Sequence, residues 1–359
     1  MASRSVTALL LTLLGVAASP GRPTAQPTAH TPSPEARALY ERARAALPNR
    51  DALQDLLDQA IAADPDYAAA YALKAENFAQ AIAATVARST DLSLAQDLDR
   101  KAVANANKAI ELDPSLAQAY TALGLAHRQF WRWPEALAAY KRAYELTPKD
   151  PAALTNWIWF NAFTGRFDEA IAAAHRQVQL YPERPNAYRD LGIAEAYAEQ
   201  PEPASEALQE CMTKDPKITI CHIYYAFMQI RLDHDDAAAK ELETAESLFG
   251  ASPTPAAISS VAHGYFRAGQ RDDARRLFAR LETEESSGVV GAGSWPLGYL
   301  AIADEAQAYR WLDRAVKKIE RHEPDEGFFN LMIIKANVVA NPVLEEQRFR
   351  ALRERIGAL

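Results

Sequence analysis

Only two cysteines, Cys211 and Cys221, occur in 359 residues. That scarcity excludes a disulfide-built scaffold, and the spacing between them matches no metal-binding signature. The chain has no run of Lys or Arg, and its formal net charge is −8. Both observations argue against nucleic acid as a partner, because phosphate binding needs clustered cations. No Gly-x-Ser-x-Gly elbow is present, and the glycine-rich stretch from Gly288 to Gly293 lacks the Gly-Lys-Ser/Thr ending of a phosphate loop. Asp233-His234-Asp235-Asp236 could suggest a metal, but it occupies an inter-helix turn where Asp serves as a helix cap. No catalytic constellation, cofactor motif or metal set emerges, so the expectation is a protein that is not an enzyme and carries no cofactor.

What is present starts with an address. Arg4 followed by the apolar stretch Val6–Val16 and the small residues Val16-Ala17-Ala18 reads as a secretory signal over residues 1–18. The apolar stretch is too short to span a bilayer. No Cys follows it, so lipid attachment is not expected. Residues 19–32, with Pro20, Pro23, Pro27 and Pro32, read as a Pro/Thr linker. The mature chain is then expected to be exported, to the periplasm or beyond, without a membrane span.

The full chain is 49% hydrophobic and 24% charged, a globular balance. Pro114, Pro148, Pro182 and Pro216 are each separated by 34 residues. Between them the same residue types return: Tyr120, Leu123, Gly124, Ala136, Tyr140 and Ala143 in one unit, Tyr188, Leu191, Gly192, Ala204, Leu208 and Cys211 two units later. Large apolar residues three or four apart make a helical face. Gly and Ala at fixed places let two helices approach closely, and Pro ends the second. Each unit is therefore an antiparallel helix pair, which cannot bury enough surface alone and must stack on its neighbours. The expected fold is an all-α solenoid. Residues 33–285 hold about seven helix pairs, with the second pair lengthened because Pro65 and Pro114 are 49 residues apart. Residues 286–359 are expected to hold a degenerate repeat and C-terminal capping helices.

Spacing and residue types together resemble tetratricopeptide repeats, which implies that the all-α solenoid is a right-handed superhelical one. Asn156-Trp157, Gly165-Arg166-Phe167-Asp168-Glu169-Ala170, the turn beginning at Gly269-Gln270-Arg271 and the closing Asn341-Pro342 through Arg348-Phe349-Arg350 are similar to repeat tails found behind bacterial nucleotidyl cyclase, winged-helix or kinase domains. Here a signal-like segment stands where such a domain would be, so neither catalysis nor DNA binding is carried over.

The resemblance implies that the first helix of each pair lines a concave groove. Transferred by position, the groove residues are Arg128, Trp159, Phe163, Asn186, Arg189, Tyr197, Phe227 and Arg231, with Thr155 and His263 beside them. Aromatics and arginines of this kind anchor protein segments, and Arg189 and Arg231 could grip a carboxylate. The implied function is a scaffold holding a peptide or protein segment in the groove. The alternative is an assembly component of an envelope complex that uses its convex face or ends. The same aromatics also suit packing between neighbouring helices. Cys211 and Cys221 flank the Pro216 corner, where they form either a disulfide or two separate small core residues.

Overall fold

Prolines and caps cut the chain into helices. Ser33, Asp150 and Thr254 each accept the amide three residues on, from Ala36, Ala153 and Ala257, and Pro34, Pro151 and Pro255 follow them at the first helical position. The computed structural model describes residues 30–46, 49–86, 92–250, 253–285, 290–325 and 327–356. The signal-like segment, nearly all of the Pro/Thr linker, Pro48, Asp91 and Gly288 lie outside them. Pro32–Leu359 is one unit by itself.

The first pairs are α1 (Pro34–Ala45) with α2 (Arg50–Ala63), α3 (Ala68–Val86) with α4 (Leu92–Leu112), and α5 (Ala117–Gln129) with α6 (Trp133–Leu146). Next come α7 (Pro151–Thr164) with α8 (Phe167–Leu180), α9 (Pro185–Tyr197) with α10 (Pro201–Lys214), and α11 (Thr219–Arg231) with α12 (Asp235–Ser247). α13 (Pro255–Arg267) pairs with α14 (Arg271–Glu285), and α15 (Trp295–Ala301) with α16 (Glu305–Glu320). The chain ends in α17 (Phe328–Ala336), a 3-10 turn at Pro342–Glu345 and α18 (Gln347–Arg355). α3 and α4 run 19 and 21 residues against 13 and 14 in α5 and α6. The described residues contain helices and no strand.

Glycine sets how closely the two helices of a pair approach. A Cβ on Gly124 would lie 2.6 Å from the Tyr140 ring and one on Gly192 2.6 Å from Leu208 Cγ, both within a pair, while one on Gly264 would lie 2.9 Å from Leu242 of the preceding pair. The turn between helices has its own signature. Trp131, Gly165, Glu199 and Asp233, spaced by the repeat period, all have φ between 56° and 83°, and Gly269 and Ala303 repeat it at 80° and 61°. The pair geometry demands a left-handed residue there, and most units supply it without glycine.

The core changes character along the chain. Around α3, α4 and α5 it is built of alanine layers, Ala72 with Ala109 and Ala119, then Ala75 with Ala106 and Ala122. From Trp131 onward one continuous aromatic and aliphatic core extends to Ile356. Cys211 of α10 and Cys221 of α11, both fully buried, are joined by a disulfide with their Cα atoms 6.6 Å apart.

The tail departs from a set of end caps. α18 does pack on α16. α17, however, lies against the first helices of earlier pairs, with Leu331, Met332 and Ile334 wholly buried and Phe328 and Ile333 nearly so. The sequence Phe328-Phe329-Asn330-Leu331-Met332-Ile333-Ile334 is apolar almost all round, which is a pattern for a helix covered on several sides.

Candidate functional site

The first helices α5, α7, α9, α11 and α13 stand side by side. Their shared face is the wall on which the expected groove residues lie, and α17 is seated on it. Phe328 sits 5.0 Å from the Trp131 ring and 5.7 Å from Phe163. Phe329 meets Trp159 at 5.7 Å and Phe163 at 6.1 Å, both edge to face.

Polar contacts fix the register of α17. Asn330 accepts from Ser260 Oγ (2.7 Å) and donates to Ser259 Oγ (2.5 Å), all three buried. Lys335 Nζ donates to the Phe163 carbonyl at the end of α7 (3.0 Å). Burial pushes that amine down to about 8. Arg231 Nη1 donates to the carbonyl of Asn337, the C-cap of α17 (3.0 Å), placing a cation on the negative end of the helix. Before α17, Trp131 Nε1 donates to the Glu323 carbonyl (2.9 Å). Asp325 accepts from the amides of Ala292, Gly293 and Gly327 and pairs with Lys318 (2.7 Å). After it, Asn341 donates to Nε2 of the buried His263 (3.3 Å).

The eight expected groove residues therefore separate. Trp159, Asn186 and Arg189 are brought together, and the residue that organises them is Asp190, which sequence reasoning did not single out. Asp190 is fully buried and accepts from Thr155 Oγ1 (2.6 Å), Trp159 Nε1 (2.8 Å) and Arg189 Nε (2.8 Å). Arg189 also reaches Asn186 Oδ1 (3.0 Å), and its guanidinium lies 5.3 Å from the Trp159 ring. A guanidinium already neutralised in this way is a poor grip for an incoming carboxylate.

Phe163 and Tyr197 are 2% exposed and Phe227 is wholly buried, so none of the three lines an open groove. Phe163 and Tyr197 are 5.4 Å apart, and the Tyr197 hydroxyl meets that of Tyr224 at 3.3 Å. Burial raises both phenols, Tyr224 to about 12. Phe227 fills the approach of α11 to Gly264. Arg231 is taken by Asn337 and by Glu199 (3.0 Å). Arg128 is half-buried, over the Phe328 ring at 5.4 Å.

What stays open on the wall lies beside Phe329, which is 39% exposed. A cavity of about 220 Å³ is lined by Ile223, Tyr224, Ala257, Phe329 and Ile333. Another of about 260 Å³ is lined by Val86, Arg128, Gln129, Phe328 and Phe329. Among the described residues no group of His, Cys, Asp and Glu is arranged to hold a metal ion, and no helix is long and apolar enough to cross a membrane.

Comparison with solved structures bears on this architecture. The chain superposes on a chain of the APC/C hetero-tetramer Cut9–Hcn1 with a TM-score of 0.53, at 16% identity, covering 86% of this chain and 55% of that one. The fold is the tetratricopeptide-repeat solenoid. Similar to shorter parts of this tetratricopeptide-repeat array are pilF of Pseudomonas aeruginosa (TM-score 0.44, 18% identity, 60% of this chain and 94% of that one) and TTC0263, a thermophilic TPR protein of Thermus thermophilus (0.43, 21%, 56% and 99%). No protein-family model and no curated protein matches the sequence.

Proposed function

We propose that the protein is an exported tetratricopeptide-repeat scaffold that binds a segment of a partner protein on the wall of its first helices, at the strip around Phe329. The observation that carries this reading is the half-exposed Phe329 standing between two cavities on a wall otherwise closed by α17. A large aromatic left partly in water beside apolar hollows is a surface that gains from being covered. Trp159 and Arg128 border the strip; Phe163, Tyr197 and Phe227 support it from within the core. Export rests on the signal-like residues 1–18, and a disulfide is in keeping with an oxidising compartment.

The competing reading, an assembly component that docks through its outer side, has Leu94 of α4 in its favour, a leucine 52% exposed. A photo-crosslinking residue placed at position 329 or at position 94 separates the two in the native host. Adducts with another protein from position 329 support the wall. Adducts from position 94 alone hand the function to the outer side.

A further inference from the structure

Outside that wall, a separate cavity of about 460 Å³ opens between α8, α9 and α10. Tyr188, Leu191 and Glu195 of α9 line it, on the side of that helix away from Asn186 and Arg189. Its aliphatic walls are Ile171, Leu191 and Ala207, and it carries the carboxylates of Glu195, Glu206 and Glu210. Glu206 and Glu210 stand one helical turn apart, so their charges oppose each other. Glu195 is 5% exposed, and its Oε2 is buried with no hydrogen-bond donor.

None of these three carboxylates has an ion-pair partner among the described residues. A buried carboxylate without a donor is costly, and fold-building acids in this chain are treated otherwise. Asp190 accepts from three residues and Asp325 from four. Glu195 contributes no such bond among the described residues; it lines an opening whose aliphatic walls are joined by His175 and Gln200. Among the described residues no group here is arranged for a metal ion. The aliphatic walls suit a hydrocarbon stem, and three carboxylates without a cation suit a positive charge at its tip.

We propose that this cavity is a receptor for a lysine side chain of a partner protein, with Glu195 accepting from the ammonium, Glu206 and Glu210 drawing it in, and Ile171, Leu191 and Ala207 flanking its methylenes. This site is independent of the strip around Phe329, and either can fail without the other.

The test uses the full mature chain, with N-acetyl-lysine methylamide as probe and the uncharged norleucine analogue as control. NMR follows the Glu195 carboxyl carbon and the Tyr188 ring. The lysine probe is expected to move both signals to saturation. Glu195→Gln is expected to weaken its binding by about tenfold or more, the loss of one charge-assisted hydrogen bond. The variant should keep native helicity by circular dichroism, because it removes a buried acid rather than a packing group. Glu206→Gln, at an exposed site, provides a second variant that leaves the interior untouched and should weaken binding more modestly. Equal response to the norleucine analogue, no movement of the Glu195 signal, or undiminished binding by Glu195→Gln would each overturn the assignment.

Discussion

Single residues decide how tightly each pair closes. Gly192 is the clearest case, since an added methyl would meet Leu208 at 2.6 Å and the Ala204 carbonyl at 3.0 Å. A backbone oxygen cannot swing aside as a side chain can. Gly192→Ala is expected to destabilise the protein by about 1–3 kcal/mol, read from the urea midpoint. Titration offers a second test. Burial, then the Arg267 charge, lowers His263 to about 3, and burial, then Arg132, lowers His127 to about 4. Below the ordinary histidine value near 6.5 the unfolded chain binds the extra protons, so both histidines make stability fall as pH falls. Glu195 has the opposite sign: burial, then Glu206, raises it to about 7. Between its ordinary carboxyl value and about 7 the folded chain holds the extra proton, so this group makes stability fall as pH rises. The contributions oppose one another from about pH 4.5 to 6.5. Glu195→Gln should remove the offset and steepen the acid limb by about 1.4 kcal/mol per pH unit, measured as stability against pH.

At the scale of elements, α17 is the feature with most consequence. Fully burying five side chains of the size of Phe328, Leu331, Met332, Ile333 and Ile334 is worth roughly 8–15 kcal/mol. A binding partner of micromolar affinity supplies about 8 kcal/mol, so α17 is a fixed part of the wall rather than a lid that ordinary ligands lift. Phe328 touches Trp131, Trp133, Phe163 and Arg128. Phe328→Ala is expected to lower stability by about 3–5 kcal/mol, checked by denaturant unfolding followed at the indole fluorescence of its two tryptophan neighbours.

The helix pairs were legible in the sequence because their signal is local and recurrent: a 34-residue proline spacing, with small residues where helices touch. Placement of α17 was not legible. Its apolar run states that it is buried but names no surface, and its partners Trp131 and Phe163 lie nearly two hundred and well over a hundred residues away in the chain. Phe163 and Tyr197 show the same limit from the other side. Helical spacing puts an aromatic on a face, yet a face open to a ligand and a face covered by the chain's own helix demand the same residue types. Asp190 was missed because a lone aspartate in a helix reads as solvated until three donors are seen around it.

Across the whole molecule, stability is unevenly distributed. Among the described residues α1 and α2 form a small core of their own with Tyr67, Ala70 and Leu73, and α3 to α5 meet through alanines, which bury little area per residue. The later pairs share one aromatic core and the disulfide at Cys211–Cys221. Native-state hydrogen exchange should therefore show residues 34–112 opening at lower free energy than the helices from Trp133 to Ile334. Uniform protection from end to end would contradict this division.

A stack of repeats joined only to its neighbours behaves as a spring, its pitch yielding to whatever pulls on it. The hydrogen bonds from Trp131 to Glu323, Lys335 to Phe163, Arg231 to Asn337 and Ser260 to Asn330 each tie α17 or its flanks to a different helix pair. They act as a rivet through the windings. Stretched from its ends, such a coil would not lengthen gradually: it would hold, then give in one abrupt step when the rivet tears out, and up to that force any surface built on it keeps its dimensions.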